Sequence, residues 1–373
     1  MQNRLHAHHS ALWILSLVLG LLVFTVGCGS NPAAVFSGAT PTWPPISPTA
    51  AQAQLTPETL ATPTEVPTKV AFAVTATHTP SAVQPTQIAA TPVPKPIVAA
   101  TGRIAYTVVT GSEPKFHTVW VANANGSNPH QIFDHAQWPA FSPDGSRVAY
   151  YGRPEGGSEG LYIANADGSG AAQAVIGPGV CCTSWSRDGL WVVYANSPKA
   201  SQPGGPLAMV KVDGVYKTIS NLGADGNGPS FSPDGKQIVF SGCLPNTNNC
   251  GLMVIPSTGG TPRVVTKDNG GNSDWSPRGD KIVYQGNDDI GHRQIFVINP
   301  DGSGKKQLTN GKSNEGQPVW SRDGGTIFWR SDQNGTAWAI YAMNADGTNQ
   351  RRLIDNVPPE PDLWGWESLS VLP

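Results

Sequence analysis

A chain of 373 residues with 42 Gly, 34 Pro, 12 Trp and only 13% charged residues leaves little room for long helices and points to turns, short strands and an unstructured tract. Its formal net charge of −2 supplies no basic footprint, so nucleic acid is not an expected partner. Length alone does not set the number of domains, because barrels and propellers of this size are single domains.

The chain begins with Arg4 and three histidines, followed by an apolar run from Ala11 to Val26 and then Gly27 and Cys28. This is the layout of a secretory leader. Thr25-Val26-Gly27-Cys28 resembles the bacterial lipobox, with Thr25 where that motif has an aliphatic residue. The resemblance implies a lipoprotein signal peptide over 1–27, lipidation of Cys28, and a membrane-anchored, extracytoplasmic protein of the bacterial cell envelope. An uncleaved anchor, or an ordinary signal peptide with an incidental cysteine, is the alternative. Against the uncleaved anchor stands the apolar run, which is shorter than the ~20 residues that span a bilayer comfortably.

Residues 28–98 are rich in Pro, Thr and Ala and poor in charge, as in Pro41-Thr42-Trp43-Pro44-Pro45 and Ala90-Thr91-Pro92-Val93-Pro94. No helical or strand periodicity runs through them. Frequent proline fixes φ and removes donors, so the tract is expected to be a disordered, semi-stiff tether. At ~3.1 Å per residue it reaches on the order of 200 Å when fully extended.

From residue 99 onward the chain is repetitive. Phe141-Ser142-Pro143-Asp144-Gly145 recurs as Trp185-Ser186-Arg187-Asp188-Gly189, Phe231-Ser232-Pro233-Asp234-Gly235, Trp275-Ser276-Pro277-Arg278-Gly279 and Trp320-Ser321-Arg322-Asp323-Gly324, with steps of 44, 46, 44 and 45 residues. Such spacing marks a structural repeat. Proline presets φ, and glycine at the end accepts φ > 0, so each copy reads as a hairpin turn. The aromatic before it points away from Ser, toward a neighbouring sheet. An apolar strand follows each turn (Arg147-Val148-Ala149-Tyr150, Lys281-Ile282-Val283-Tyr284), then a strand ending in an Asx-Gly turn, then a short third strand. The motif turn and the Ile340-to-Gly347 strand resemble the TolB-type β-propeller repeat, which is also similar to the propeller of the dipeptidyl peptidase family. The resemblance implies an all-β, six-bladed β-propeller of four-stranded blades over 99–373. Arg187 and Arg322 in place of Pro, and Arg278 in place of Asp, are read as tolerable turn variants.

The ends of the ring supply complementary pieces. Residues 102–133 hold three strands without an inner partner. The tail Leu363–Leu369 reads as an orphan inner strand, with Trp364 or Trp366 at the motif spacing. N- and C-terminal strands are therefore expected to close one blade together, which removes an exposed sheet edge.

Cys243 and Cys250 flank a six-residue loop and are expected to form a disulfide in an exported protein. Adjacent Cys181 and Cys182 stay open between a vicinal disulfide and free thiols. The loops of variable length should share one face of the ring, with the tight turns on the other, and ligands commonly use such loops and the channel. On the loop face Asp268, Asp274, Asp288, Asp289, His292 and Glu315 form a candidate oxygen-rich site for a calcium ion, against a simple solvated acidic rim. No hydrolase motif and no zinc-type spacing accompanies the ring.

The expected function is a non-enzymatic binding or scaffold module that recognises a protein or cell-envelope component. The alternatives are a polysaccharide lyase or hydrolase using His117, His292 and the acidic rim, or a sensor of a small ligand.

Overall fold

The computed structural model describes residues 102–110, 116–196, 205–244, 247–332, 337–358 and 369–372. The leader, Cys28, the Pro/Thr tether and both Trp364 and Trp366 lie outside these residues. Among the described residues every regular element is a strand.

The first sheet contains β1 (Arg103–Thr110), β2 (Phe116–Asn123) and β3 (His130–Asp134). The second is β4 (Ala136–Phe141), β5 (Arg147–Gly152), β6 (Gly160–Asn165) and β7 (Ala172–Ile176). A third sheet of seven strands follows. It runs through β8 (Val180–Trp185), β9 (Trp191–Asn196), β10 (Gly205–Lys211), β11 (Ile219–Phe231), β12 (Gln237–Cys243), β13 (Cys250–Pro256) and β14 (Arg263–Thr266). The fourth holds β15 (Gly271–Trp275), β16 (Ile282–Asn287), β17 (Arg293–Ile298) and β18 (Lys306–Gln307). The fifth holds β19 (Glu315–Trp320), β20 (Thr326–Ser331), β21 (Ala339–Asn344) and β22 (Arg351–Ile354), and β23 (Ser370–Val371) returns to the first sheet beside β1.

The sheets surround a channel as the blades of an all-β propeller. The strands β23, β4, β8, β11, β15 and β19 touch one another in a closed cycle, and residues from all of them line one cavity. Five sheets appear where the repeat leads one to expect separate blades, because β11 is 13 residues long and serves two neighbours. Its first part pairs with β10 and its last part with β12. Gly223 (φ 74°) and Gly228 (φ 55°) let this strand turn from one sheet into the next without a break, a backbone that a residue with Cβ adopts only with strain.

Second and third strands such as β5, β6, β16 and β21 are buried along nearly their whole length, so they read as continuous apolar runs instead of alternating ones. The core lies between adjacent sheets. Trp275 packs with Val239 and Leu252 of the preceding sheet, and Trp320 with Val283 and Ile295, which is where the repeated aromatic was expected. Fully burying one such side chain is worth about 2–3 kcal/mol.

The motif turns share one hydrogen-bond design. Ser142, Ser186, Ser232 and Ser321 each donate Oγ–H to the Asp two residues on, at 2.5–2.6 Å. Where Arg278 replaces that Asp, Ser276 Oγ donates instead to Asp280 at 2.7 Å. The following glycines, Gly145 through Gly324, have φ between 69° and 77°.

The C-terminal strand closes the first sheet beside β1, as expected of the two chain ends. Residues 363–368 lie outside the described residues, and the described closing strand is β23, Ser370–Val371, which pairs with β1 through Val371–Ile104 and Ser370–Ala105. Val371 opposes Ile104 as Phe141 opposes Val148 and Trp320 opposes Ile327. It thus takes the motif aromatic's place in the ladder. Pairing fixes register, and spacing only suggests it. A smaller side chain suffices here because Val371 packs with Ile104, Phe328 and Leu369.

Candidate functional site

Every described inner strand of the motif type is irregular at the same place, three residues before its aromatic. Trp138 (φ 55°), Cys182 (60°), Gly228 (55°), Asn272 (40°) and Gln317 (56°) all have positive φ there. At each, the register with the next strand shifts. Such bulges interrupt a ladder and re-aim side chains, and they are frequent beside binding sites.

Beside the bulges the channel holds a cavity of about 160 Å³. Its wall includes the bulge residues Cys182, Gly228, Asn272 and Gln317 and the aromatics Trp185, Phe231, Trp275 and Trp320. Thr183, Ser184, Ser230 and Ser273 add hydroxyls. At the mouth stand Pro233, Pro277, Arg187 and Arg322, all from the motif turns. The cavity therefore opens at the tight-turn end of the ring, opposite the variable loops.

Asp274 is the acidic group in this wall. Ser230 Oγ donates to its Oδ1 at 3.0 Å and the Trp320 N–H to its Oδ2 at 2.9 Å. Burial raises its carboxyl above the ordinary value of 3.8, and those hydrogen bonds oppose the rise. The Arg322 guanidinium is lowered by burial, raised by Asp274 and lowered by Arg187, while its Nε donates to Val371 O at 3.4 Å.

The arrangement suits a ligand that enters a polar, aromatic-walled funnel. The TolB beta propeller domain family matches residues 260–357, which spans the fourth and fifth sheets with their motif turns. Residues 260–357 carry the TolB-type repeat. TolB from Acinetobacter baumannii is a solved structure of similar fold, with a TM-score of 0.58 at 18% identity over 73% of this chain and 67% of that one. By sequence, the chain is 31% identical over 133 residues to an uncharacterized protein of Agrobacterium fabrum, covering 35% of this chain and 43% of that protein. It is 28% identical over 146 residues to an uncharacterized peptidase of Bacillus subtilis, covering 30% of this chain and 22% of that one. The match thus spans less than half the length of either relative.

The propeller does not gather the acidic residues singled out in its sequence. Asp274 alone lies in the channel wall. Glu315 is buried and accepts from Trp329 Nε1 at 2.5 Å. Asp268 accepts from Tyr284 Oη at 2.7 Å and pairs with Lys305 Nζ at 2.6 Å. Asp288 caps its own turn, accepting from the Ile290 and His292 N–H groups, with His292 Nδ1 at 3.6 Å. Asp289 is exposed on that turn. Among the described residues no group of three or more His, Cys, Asp or Glu could hold a metal ion. His117 lies in β2 of the first sheet, and His292 in the turn before β17 of the fourth.

Cys243 and Cys250, directly opposite on β12 and β13, are joined by a disulfide. Cys181 and Cys182 are buried and not disulfide-bonded, with Cys181 Sγ 3.6 Å from Asn227 Oδ1. Interaction with Cys182, then burial, pushes the Cys181 thiol well up, which makes it a poor nucleophile.

Proposed function

We propose that this chain is a non-enzymatic binding or scaffold module. It would be a six-bladed propeller, lipid-anchored through Cys28 and held outside the membrane by the Pro/Thr tether, that recognises a protein or cell-envelope component. The observation that carries this reading is the cavity at the tight-turn end of the channel. Five strands bend out of regular pairing to make it, and its wall mixes aromatic faces with hydroxyl and amide groups. Sites of this kind hold ligands by shape and a few placed polar groups.

The count of six rests on taking β11 as the outer strand of one blade and the inner strand of the next. That division makes each unit four-stranded, and the closed cycle of inner strands supports it. The envelope location is supported by the TolB-type match and by the leader sequence.

Blocking the funnel tests the reading. Ser273→Phe places an aromatic ring in the cavity wall without touching the tight turns. The full chain is expected to retain an envelope component through detergent washes, and the Ser273→Phe chain, folded by circular dichroism, is expected to lose it. Equal retention by both proteins would refute the channel as the binding surface.

A further inference from the structure

Two of the five motif turns depart from the repeat in the same way. Arg187 and Arg322 occupy the position held by Pro143, Pro233 and Pro277, and both line the mouth of the cavity. Their inner strands, β8 and β19, are separated by two others in either direction around the cycle of contacts. The two side chains thus come from opposite walls. They are near enough to repel, since Arg187 lowers the Arg322 guanidinium.

Neither guanidinium forms an ion pair among the described residues. Asp274 is the acidic residue of the wall, and both its oxygens already accept hydrogen bonds. Asp188 and Asp323, in the arginines' own turns, accept from Ser and backbone N–H groups of those turns. Arg278, beside Gly324, adds further positive charge next to Asp323. The guanidiniums of Arg187 and Arg322 thus stand at the mouth without an ion-pair partner of their own among the described residues. Deeper in the wall, Ser273 Oγ and Trp320 Nε1 are buried with no hydrogen-bond partner among the described residues, in side chains only 7% and 6% exposed. Buried polar atoms left unpaired are uncommon and call for a partner.

We propose that the mouth of the channel binds an oxyanion of the ligand, a carboxylate or phosphate group, between Arg187 and Arg322. Guanidinium forks match both groups bidentately, and an anion bridging the two arginines relieves their mutual repulsion. The Ser273 hydroxyl then serves the neutral part of the same ligand. This inference rests on the channel being the binding surface and adds the chemistry of what enters it.

The repeat itself supplies the test substitution. Proline is native at the equivalent turn position, and the backbone N–H groups of Arg187 and Arg322 make no described hydrogen bond, so Arg187→Pro and Arg322→Pro remove the charge within a turn that accepts proline. Arg322→Gln serves as a second variant, because Arg322 also holds Val371 O. Inorganic phosphate and citrate are titrated calorimetrically into the full chain at constant ionic strength. At least one of them is expected to bind, and the double variant to bind it at least tenfold more weakly, with single variants in between. Phosphate alone binding assigns a phosphate group, and citrate alone a carboxylate. Absence of binding by both anions, or equal binding by wild type and double variant, overturns the proposal. If the double variant still retains the envelope component that Ser273→Phe loses, channel binding stands and the oxyanion role falls; if Ser273→Phe loses nothing, channel binding itself falls.

Discussion

Arg330, fully buried in β20, donates from Nη2 to the carbonyl oxygen of Thr107 in β1 at 2.8 Å. The two residues are 223 positions apart, and the bond ties the fifth sheet to the first. Thr107 also serves the next sheet, because its Oγ1 accepts from the Trp138 N–H at 3.2 Å. Arg330→Met keeps much of the packing volume but leaves a buried carbonyl without its charged donor. The expected loss is about 2 kcal/mol, read from the midpoint of chemical denaturation. An unchanged midpoint would show that this bond does not hold the ring closed.

The short β23 ties the first sheet to the second. Ser370 Oγ accepts from the Phe141 N–H at 2.9 Å, and Leu372 packs with Phe141 and Val148. Removing residues 369–373 is expected to broaden and lower the thermal transition of the whole domain, since one inner strand of the cycle is lost. A truncated chain that melts with unchanged cooperativity would contradict this role for β23.

The disulfide pins the end of one hairpin. Replacing Cys243 and Cys250 with Ser is expected to cost about 2 kcal/mol, the chain-entropy value for so short a loop. Alkylation of the denatured, unreduced protein should label Cys181 and Cys182 and spare Cys243 and Cys250. Labelling of Cys243 or Cys250 would contradict the pairing.

The motif turns make the protein acid-sensitive. The Ser142 hydroxyl, then the Ser146 N–H and hydroxyl, hold Asp144 down to about 2 from an unfolded value of 3.8. Asp234 and Asp323 are lowered by their own turn serines. A carboxyl that is more acidic when folded stabilises the fold fully above its unfolded value. That contribution disappears as pH falls through the folded value. Asp274, raised by burial, acts in the opposite sense. Melting temperature is expected to fall from about pH 4 toward pH 2, and to fall less in the Asp144→Asn, Asp323→Asn double variant. Parallel pH profiles for the two proteins would contradict the assignment.

Much of the architecture is legible in the sequence because the turn chemistry repeats. Phe141, Trp185, Phe231, Trp275 and Trp320 mark successive inner strands, and each packs where a sheet-to-sheet aromatic should. The described closing strand has Val371 where the other inner strands have an aromatic, and ladder pairing identifies it where aromatic spacing does not. The bulges escaped notice for a related reason. Trp138, Cys182, Gly228, Asn272 and Gln317 share a backbone conformation and no side-chain chemistry. Arg187 and Arg322 were visible as departures from proline, yet only the ring brings both to one mouth. The separation of the acidic residues is not legible in the chain, because their partners are distant in sequence. Nothing near Asp268 in the chain announces Lys305, and nothing near Glu315 announces Trp329 as its donor.

The central claim is that the tight-turn end of the channel, and not the loop face, is where this propeller binds. A crystal structure of the full chain purified from its native source without stripping tests it most directly. The account predicts ligand or partner density in the funnel walled by Asn272, Ser273, Gln317 and Trp320, reaching Arg187 and Arg322. A bare funnel with a partner seated on the variable loops around Asp288 and His292 would contradict it.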